Sequence, residues 1–253
     1  MSIATDAKPT FRAPLFERLF LDRTHRAPRL WSNKELASIG QLFSGDIVNV
    51  SAWRDEDKAG RFYRDYFTAA RSYTLTNYNA DMRGFQGRDG EIFLNLESPL
   101  PDPLRGRFDV VFNHTTLEHV YEFRTAFANL CTLSRDAVIV VVPWLQPYHG
   151  DYGDYWRFSP MAVARLFAEN GMTPARITWN KAPGTSVYIF AVGVKDRARW
   201  DGVFAFDVDP QAPDFLAPPS DFAGRDALPK RAADLVRAAA RRSGVGRLIR
   251  GRS

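Results

Sequence analysis

Two uninterrupted apolar runs constrain the fold of this chain more than any other feature. They are Val110–Phe112 and Val138–Val142. Runs of this kind are typical of parallel strands that are covered on both faces. Between them, four apolar residues recur at spacings of three and four, which predicts a helix with one apolar face: Val120, Phe123, Phe127 and Leu130. The stretch from Phe108 to Trp144 is therefore predicted to be a strand–helix–strand crossover unit.

Alternating strand and helix patterns extend this unit in both directions. Seven strands are predicted, at Ile47–Trp53, Ser72–Asn77, Glu91–Leu96, Phe108–Asn113, Ala137–Val142, Ala175–Trp179 and Ser186–Val194. A second helix is delimited by Ser159 as N-cap, Pro160 as first residue and Gly171 at its end. A short, turn-rich segment, 180–185, joins the last two strands and favours an antiparallel hairpin. The sequence thus predicts a doubly wound, mostly parallel seven-stranded α/β sheet with an antiparallel last strand.

Four regions are predicted along the chain. Residues 1–40 are interpreted as an N-terminal extension with a short helix near Leu15–Leu21, and residues 41–196 as the α/β domain. Residues 197–229 are a proline-rich arm or linker, and residues 230–253 a basic amphipathic tail. Eight basic residues and one acid fall within 228–253, so the rest of the chain is nearly neutral although the net charge is +5.

The composition limits which cellular compartment and which binding partners are expected. The single cysteine, Cys131, excludes an internal disulfide framework. The N-terminus lacks the pattern of a signal peptide, and the longest apolar run, Ala137–Leu145, is too short to cross a bilayer. A cytoplasmic protein is predicted. Its tail from residue 228 could contact the inner face of an anionic membrane, dock on an acidic partner, or remain solvated without a role. A nucleic-acid partner is disfavoured, because the tail has no aromatic residue to stack on bases.

Candidate chemistry is expected after the strands, because ligands of open α/β sheets bind outside the carboxyl ends of the strands. His114 ends the fourth strand and is a candidate acid–base group, since imidazole titrates near neutral pH. Thr115 and Glu118 have the spacing of a capping box, which favours a structural role for Glu118. His119 is interpreted as packed or solvated.

The loop that follows the fifth strand, residues 143–158, combines aromatic, imidazole, carboxylate and guanidinium groups. Such a mixture suits a polar ring substrate. It predicts substrate contacts at Trp144, Tyr148, Tyr155 and Arg157, and catalytic roles for His149 and Asp154. The alternative is structural: Tyr155 and Trp156 pack under the next helix while Asp154 pairs with Arg157. The four histidines show no metal-ligand spacing, so no metal site is predicted.

Three segments resemble the class I S-adenosylmethionine-dependent methyltransferases, over roughly residues 45–195. They are Phe108–Val111 continuing to Leu117–Val120, Val142–Pro143 with His149, and Asp154–Pro160 leading into a helix. The resemblance is to the branch that acts on small molecules or sugars. It implies S-adenosylmethionine as cofactor, the strand order 3-2-1-4-5-7-6, and a small-molecule or glycan acceptor methylated at oxygen, with His114 or His149 as base.

The cofactor half departs from that family's pattern. Asn49 replaces an acid on the first strand, and Ser51, Trp53 and Asp55 stand at the glycine positions of the following turn. Asn77, with Asp81 nearby, stands where an acid would hold the ribose, and Asn95 replaces another frequent acid. The resemblance implies cofactor contacts at Asn49, Ser51, Trp53, Asn77, Asn95 and Asn113. Two interpretations remain open: a divergent methyltransferase, or a methyltransferase-like binding or scaffold protein that has lost the cofactor.

Overall fold

The computed structural model describes residues 21–79, 84–150, 153–182 and 184–208. Within these ranges the helices are α1 (Arg26–Ile39), α2 (Phe123–Leu133) and α3 (Pro160–Glu169). The strands are β1 (Ser44–Val50), β2 (Ala69–Asn77), β3 (Ile92–Phe93), β4 (Phe108–His114), β5 (Ser134–Leu145), β6 (Thr173–Trp179) and β7 (Val187–Val194). Each of the seven predicted strands is present, with shifted ends.

The seven strands form one sheet in the order β3-β2-β1-β4-β5-β7-β6. The pairs among β1, β2, β3, β4 and β5 are parallel, whereas β7 runs antiparallel to both β5 and β6. The predicted fold class and strand order are therefore confirmed. Strands β4 and β5 are buried along almost their whole length, as their apolar runs require.

The hydrophobic core lies on both faces of the sheet. On one face, Leu36 and Ile39 of α1 pack with Tyr63 and with residues of the central strands. On the other face, α2 and α3 contribute Phe127 and Phe167, whose rings meet at 5.0 Å between centroids. Helices on both faces make the sheet doubly wound.

Packed residues lie on both sides of the predicted domain 41–196. Helix α1 lies inside the proposed extension 1–40, yet it packs against β7 and buries five residues: Pro28, Ser32, Asn33, Leu36 and Ile39. At the other end, Trp200 and Phe204 stack near Phe43 in the core, although they were assigned to the arm 197–229. The folded unit therefore extends beyond 41–196 in both directions.

The predicted capping box at Thr115 and Glu118 is also wrong. Thr115 has a positive φ of 49°, and residues Leu117–His119 form a 3₁₀ turn that has no side-chain cap. Helix α2 begins only at Phe123. The loop after β5 folds over this turn instead, and the backbone N–H of Tyr155 donates to the carbonyl of Glu118 at 2.8 Å. A long-range contact has thus replaced the local cap.

Several expectations fall outside the described residues. They concern the short helix near Leu15–Leu21, Asp81, the arm beyond residue 208 and the basic tail. In the part of the chain that the structure describes, no helix is both long enough and apolar enough to cross a membrane.

Candidate functional site

The turn after β1 adopts an unusual backbone shape without glycine. Ser51, Trp53 and Asp55 have φ values of 58°, 49° and 66°, and these are the three positions that the resemblance assigns to glycine. Non-glycine residues rarely enter this left-handed region, because the Cβ atom crowds the neighbouring carbonyl. The surroundings must therefore hold the turn in this conformation.

The Asp55 carboxylate holds the turn from inside. It is fully buried, and its Oδ1 accepts from Asn49 Nδ2 and from the Tyr73 hydroxyl, both at 2.8 Å. Its Oδ2 accepts from the backbone N–H of Arg64 at 3.1 Å and from its guanidinium at 3.2 Å. Asn49 is therefore a structural partner of Asp55, and its side chain is turned into the protein.

The side chain of Asn77 performs a second structural task at the end of β2. Its Oδ1 accepts from the backbone N–H of Trp53 at 2.6 Å, and its Nδ2 donates to the Trp53 carbonyl at 3.1 Å. The same Nδ2 donates to Glu91 Oε1. Asn77 is 2% exposed, so its amide clamps the β1 turn at the position where the resemblance implies a ribose contact.

The other two predicted cofactor residues also contact their own surroundings. Asn95 bonds to Ser98 and Glu97 within the turn that follows β3. Asn113 is fully buried and donates to the carbonyl of Val50, which ties the ends of β1 and β4 together. Its Oδ1 is buried without a hydrogen-bond partner. The structure thus turns four of the six predicted cofactor residues inward or into local turns.

A pocket of about 200 Å³ opens where β1 and β4 end. It is lined by Arg29, Asn49, Ser51, Ala52, Trp53, Glu56, Asp57, Lys58, Tyr63, His114, Thr115 and Thr116. Sites for small molecules typically have about 300–1,000 Å³. Because this pocket is smaller, a nucleoside-sized ligand requires lining side chains to move, and Glu56 and Lys58 are exposed. The location agrees with the rule that ligands bind beyond the carboxyl ends of the strands.

His114 contributes an imidazole to this pocket. Its Nε2 lies 2.9 Å from Ser32 Oγ, and its Nδ1 lies 3.1 Å from Thr115 Oγ1. Burial, followed by the charge of Arg29, lowers the pKa of His114 well below its ordinary value. The ring is therefore neutral near pH 7, and each of its two nitrogens faces a hydroxyl group of the chain.

Helix α1 supplies two pocket contacts that sequence reasoning missed. Arg29 lines the pocket and Ser32 orients His114. Hydrophobic periodicity gave little signal, because the buried face of α1 includes the polar residues Ser32 and Asn33. Their burial is explained by specific partners: Asn33 Nδ2 donates to the Asp57 carboxylate at 3.2 Å.

The loop after β5 is organised by an ion pair. Arg157 contacts both carboxylate oxygens of Asp154, as the structural alternative predicted, and also donates to the carbonyls of Gln146 and Pro147. Although burial opposes ionisation of Asp154, Arg157 lowers the pKa of this carboxyl to about 2. The Asp154 carboxylate also accepts from the backbone N–H of His149 at 2.7 Å. Asp154 and Arg157 therefore brace the loop.

The predicted aromatic contacts are dispersed. Trp144 packs edge-on against Trp179, with 5.8 Å between ring centroids. Tyr148 is 79% exposed, and Tyr155 meets Tyr121 at the surface. Among the described residues of this loop, Tyr148 and Tyr155 are the exposed aromatic side chains, and they offer open faces to an approaching ligand.

Glu118 is the residue whose environment differs most from its predicted role. Its side chain is 1% exposed, and Oε2 has no hydrogen-bond partner. Burial raises the pKa of Glu118 to about 7, while Arg29, His149 and Arg157 act in the opposite direction. A buried carboxyl of this kind is typical of functional sites.

The fold belongs to the class of doubly wound α/β sheets in which an antiparallel β7 lies between β5 and β6. No protein-family model and no curated protein matches the sequence. Among solved structures, the chain is similar to the Burkholderia thailandensis 1,6-didemethyltoxoflavin-N1-methyltransferase with bound S-adenosylhomocysteine (16% identity, 73% of this chain and 92% of that chain, TM-score 0.46). It is also similar to the magnesium protoporphyrin IX methyltransferase of Synechocystis PCC 6803 with bound SAH (10% identity, 72% and 93%, TM-score 0.44).

The fold class rests on the strand order and strand directions of this chain.

Proposed function

We propose that this protein is an S-adenosylmethionine-dependent methyltransferase whose cofactor turn is built without glycine. The observation that carries the proposal is the left-handed conformation of Ser51, Trp53 and Asp55, directly after β1 and beside the pocket. Three strained residues in one turn persist only where other contacts maintain them. Here those contacts come from Asn49, Tyr73 and Asn77.

Some features of the chain fit the cofactor and others do not. The backbone of the turn and the position of the pocket fit, but Asn49 and Asn77 have neither the charge nor the orientation for a ribose clamp. The remaining groups that could hold the cofactor line the pocket: the Glu56 carboxylate for hydroxyl or amino groups, the hydroxyls of Thr115 and Thr116, and the Trp53 indole as an apolar wall.

The chain's own part in methyl transfer would be to position the acceptor and remove its proton. When bound, the cofactor supplies the methyl group from its sulfonium. Among the described residues, His114 is the imidazole that lines the pocket and is the candidate to accept the proton of an acceptor hydroxyl, although burial, by lowering its pKa, weakens it as a base. A small-molecule or glycan acceptor with an oxygen nucleophile fits this arrangement, and the exposed rings of Tyr148 and Tyr155 offer stacking faces. His149 remains the alternative base.

A second candidate function is a binding or scaffold role without the cofactor. The inward-facing Asn77 favours it, because a carboxylate at the end of β2 is what the resemblance requires for the ribose. The two functions predict different outcomes in one binding experiment.

Titration calorimetry of the full chain with S-adenosylhomocysteine tests the proposal. Binding in the micromolar range is expected, and Glu56→Gln should weaken it about tenfold if one charge-assisted hydrogen bond is lost. Glu97→Gln is the matched control: Glu97 is exposed and does not line the pocket. No binding at millimolar ligand would refute the enzyme and favour the scaffold.

If the cofactor binds, loop variants test the acceptor side. His149→Ala and Asp154→Asn should reduce transfer more than cofactor affinity, because both residues lie on the loop after β5. Equal losses in both measurements would contradict this placement of the acceptor.

A further inference from the structure

Glu118, His119 and His149 converge on one point between the turn after β4 and the loop after β5. One candidate ligand atom from each of the three residues lies within 4.8 Å of the other two. His119 Nε2 lies 3.8 Å from Glu118 Oε1. Two imidazole nitrogens and one carboxylate oxygen form the three-ligand set of many zinc sites that keep an open coordination position.

Both imidazole rings are oriented as metal ligands usually are. Ligating histidines characteristically bond their second ring nitrogen to a carboxylate or a backbone carbonyl, which fixes the tautomer. Here His119 Nδ1 bonds to the carbonyl of Gly153, which directs Nε2 toward Glu118. His149 Nδ1 lies 3.3 Å from both the Pro147 carbonyl and Asp154 Oδ2, and 3.4 Å from Arg157 Nη2. With the proton on Nδ1, donated to one of these two oxygens, Nε2 is the nitrogen that can coordinate.

Glu118 provides an independent sign that a ligand belongs here. Its Oε2 is buried and has no hydrogen-bond partner. A buried polar atom without a partner destabilises a fold, and it does so more strongly when it is charged. A cation at the convergence point would lie against this carboxylate, whose Oε1 is 3.8 Å from His119 Nε2, and would compensate its charge.

We propose that Glu118, His119 and His149 bind one first-row divalent transition-metal ion, with Zn²⁺ as the best match. The mixed nitrogen and oxygen donors favour Zn²⁺ over Mg²⁺ or Ca²⁺, which prefer oxygen ligands. The partial exposure of His119 and His149 gives the ion access and leaves room for water or substrate as a fourth ligand.

The proposal does not depend on methyl transfer. The site involves none of the residues of the β1 turn, and the ion can be measured without cofactor. A protein that binds zinc but not S-adenosylhomocysteine would support the metal site and refute the proposed activity. A protein that binds S-adenosylhomocysteine but not zinc would refute the metal site and support the proposed activity.

The test is a zinc titration of the full chain after treatment with a chelator, in competition with a chromophoric chelator. One equivalent of Zn²⁺ should bind. Glu118→Gln and His149→Ala should each weaken the affinity at least tenfold. Asp154→Asn should weaken it about 10–100-fold, as loss of such an outer partner usually does. His114→Gln is the matched control and should keep the wild-type affinity, because His114 lies outside the cluster.

Co²⁺ provides a spectroscopic readout. The wild-type protein should give visible d–d absorption that is lost in His149→Ala, with near-ultraviolet circular dichroism confirming that each variant is folded. Absence of stoichiometric binding in the wild type would overturn the proposal. Equal zinc affinity of the wild type, Glu118→Gln and His149→Ala would also overturn it.

Discussion

Replacing Asn49 by Asp, the residue type that the family resemblance implies, should destabilise this protein strongly. Asn49 Nδ2 lies 2.8 Å from Asp55 Oδ1, and the two residues are 2% and 0% exposed. The substitution removes the only hydrogen that Asn49 donates to this oxygen and places a second carboxylate against it. Either both carboxylates stay charged and repel each other, or one of them is held protonated.

The magnitude follows from these two routes. Two unit charges about 4 Å apart repel by about 4 kcal/mol at an effective dielectric constant of about 20. Keeping one carboxyl protonated at pH 7, about three units above its usual pKa, costs about 4 kcal/mol. At pH 5 the same proton costs only about 1.5 kcal/mol. Asn49→Asp should therefore lower the free energy of unfolding by about 4 kcal/mol at pH 7 and by about 1.5 kcal/mol at pH 5.

Urea denaturation at both pH values measures this difference. The matched control is the double variant Asn49→Asp/Asp55→Asn, which exchanges donor and acceptor and leaves a single carboxylate. With Asp55→Asn it completes a double-mutant cycle. The double variant should lack the extra loss between pH 5 and pH 7, and it should be more stable than Asn49→Asp at pH 7. A loss below about 1 kcal/mol at pH 7, or a loss independent of pH, would refute the reasoning.

Four further outcomes are expected. Burial lowers the pKa of His114, so the ring stays neutral in the folded state. The free energy of unfolding should therefore fall by up to about 1.4 kcal/mol for each pH unit below about 6.5. His114→Gln should reduce that slope in urea denaturation at pH 5–7. Burial raises the pKa of Cys131 to about 12, so a thiol reagent should modify it only after unfolding. Gly193→Ala should cost about 1–3 kcal/mol, because the added Cβ would overlap the Phe167 ring; unchanged thermal stability would contradict this. Deleting 228–253 should release the protein from anionic liposomes, and retained binding would exclude the tail as an anchor.

The fold was predictable because its signals are local and apolar. Val110–Phe112 and Val138–Val142 identify strands that are buried on both faces, and the strand order followed from the family resemblance. Helix α1 was missed for a physical reason. Its buried face relies on Ser32 and Asn33, whose burial depends on partners 82 and 24 residues away, and no periodicity in the sequence reveals such partners.

The candidate site was predictable in its location but less so in its residues. His114 and His149 lie where the strand ends placed them. Glu118 was assigned to a helix cap because its spacing from Thr115 is right, but the backbone of the β5 loop at Tyr155 bonds to the carbonyl of Glu118 and buries the side chain. That contact spans 37 residues of chain, so the local pattern could not predict it.

The departures from the family's cofactor pattern are interdependent. Asp55 places a carboxylate inside the turn, which explains why Asn49 must be a donor. The amide of Asn77 holds both backbone groups of Trp53, and a carboxylate could accept from the N–H but could not donate to the carbonyl. Among the described residues, none of these three polar side chains is left buried without a partner. The polar residues of the turn therefore depend on one another. Replacing one of them alone by the residue type that the resemblance implies should weaken the turn rather than improve cofactor binding.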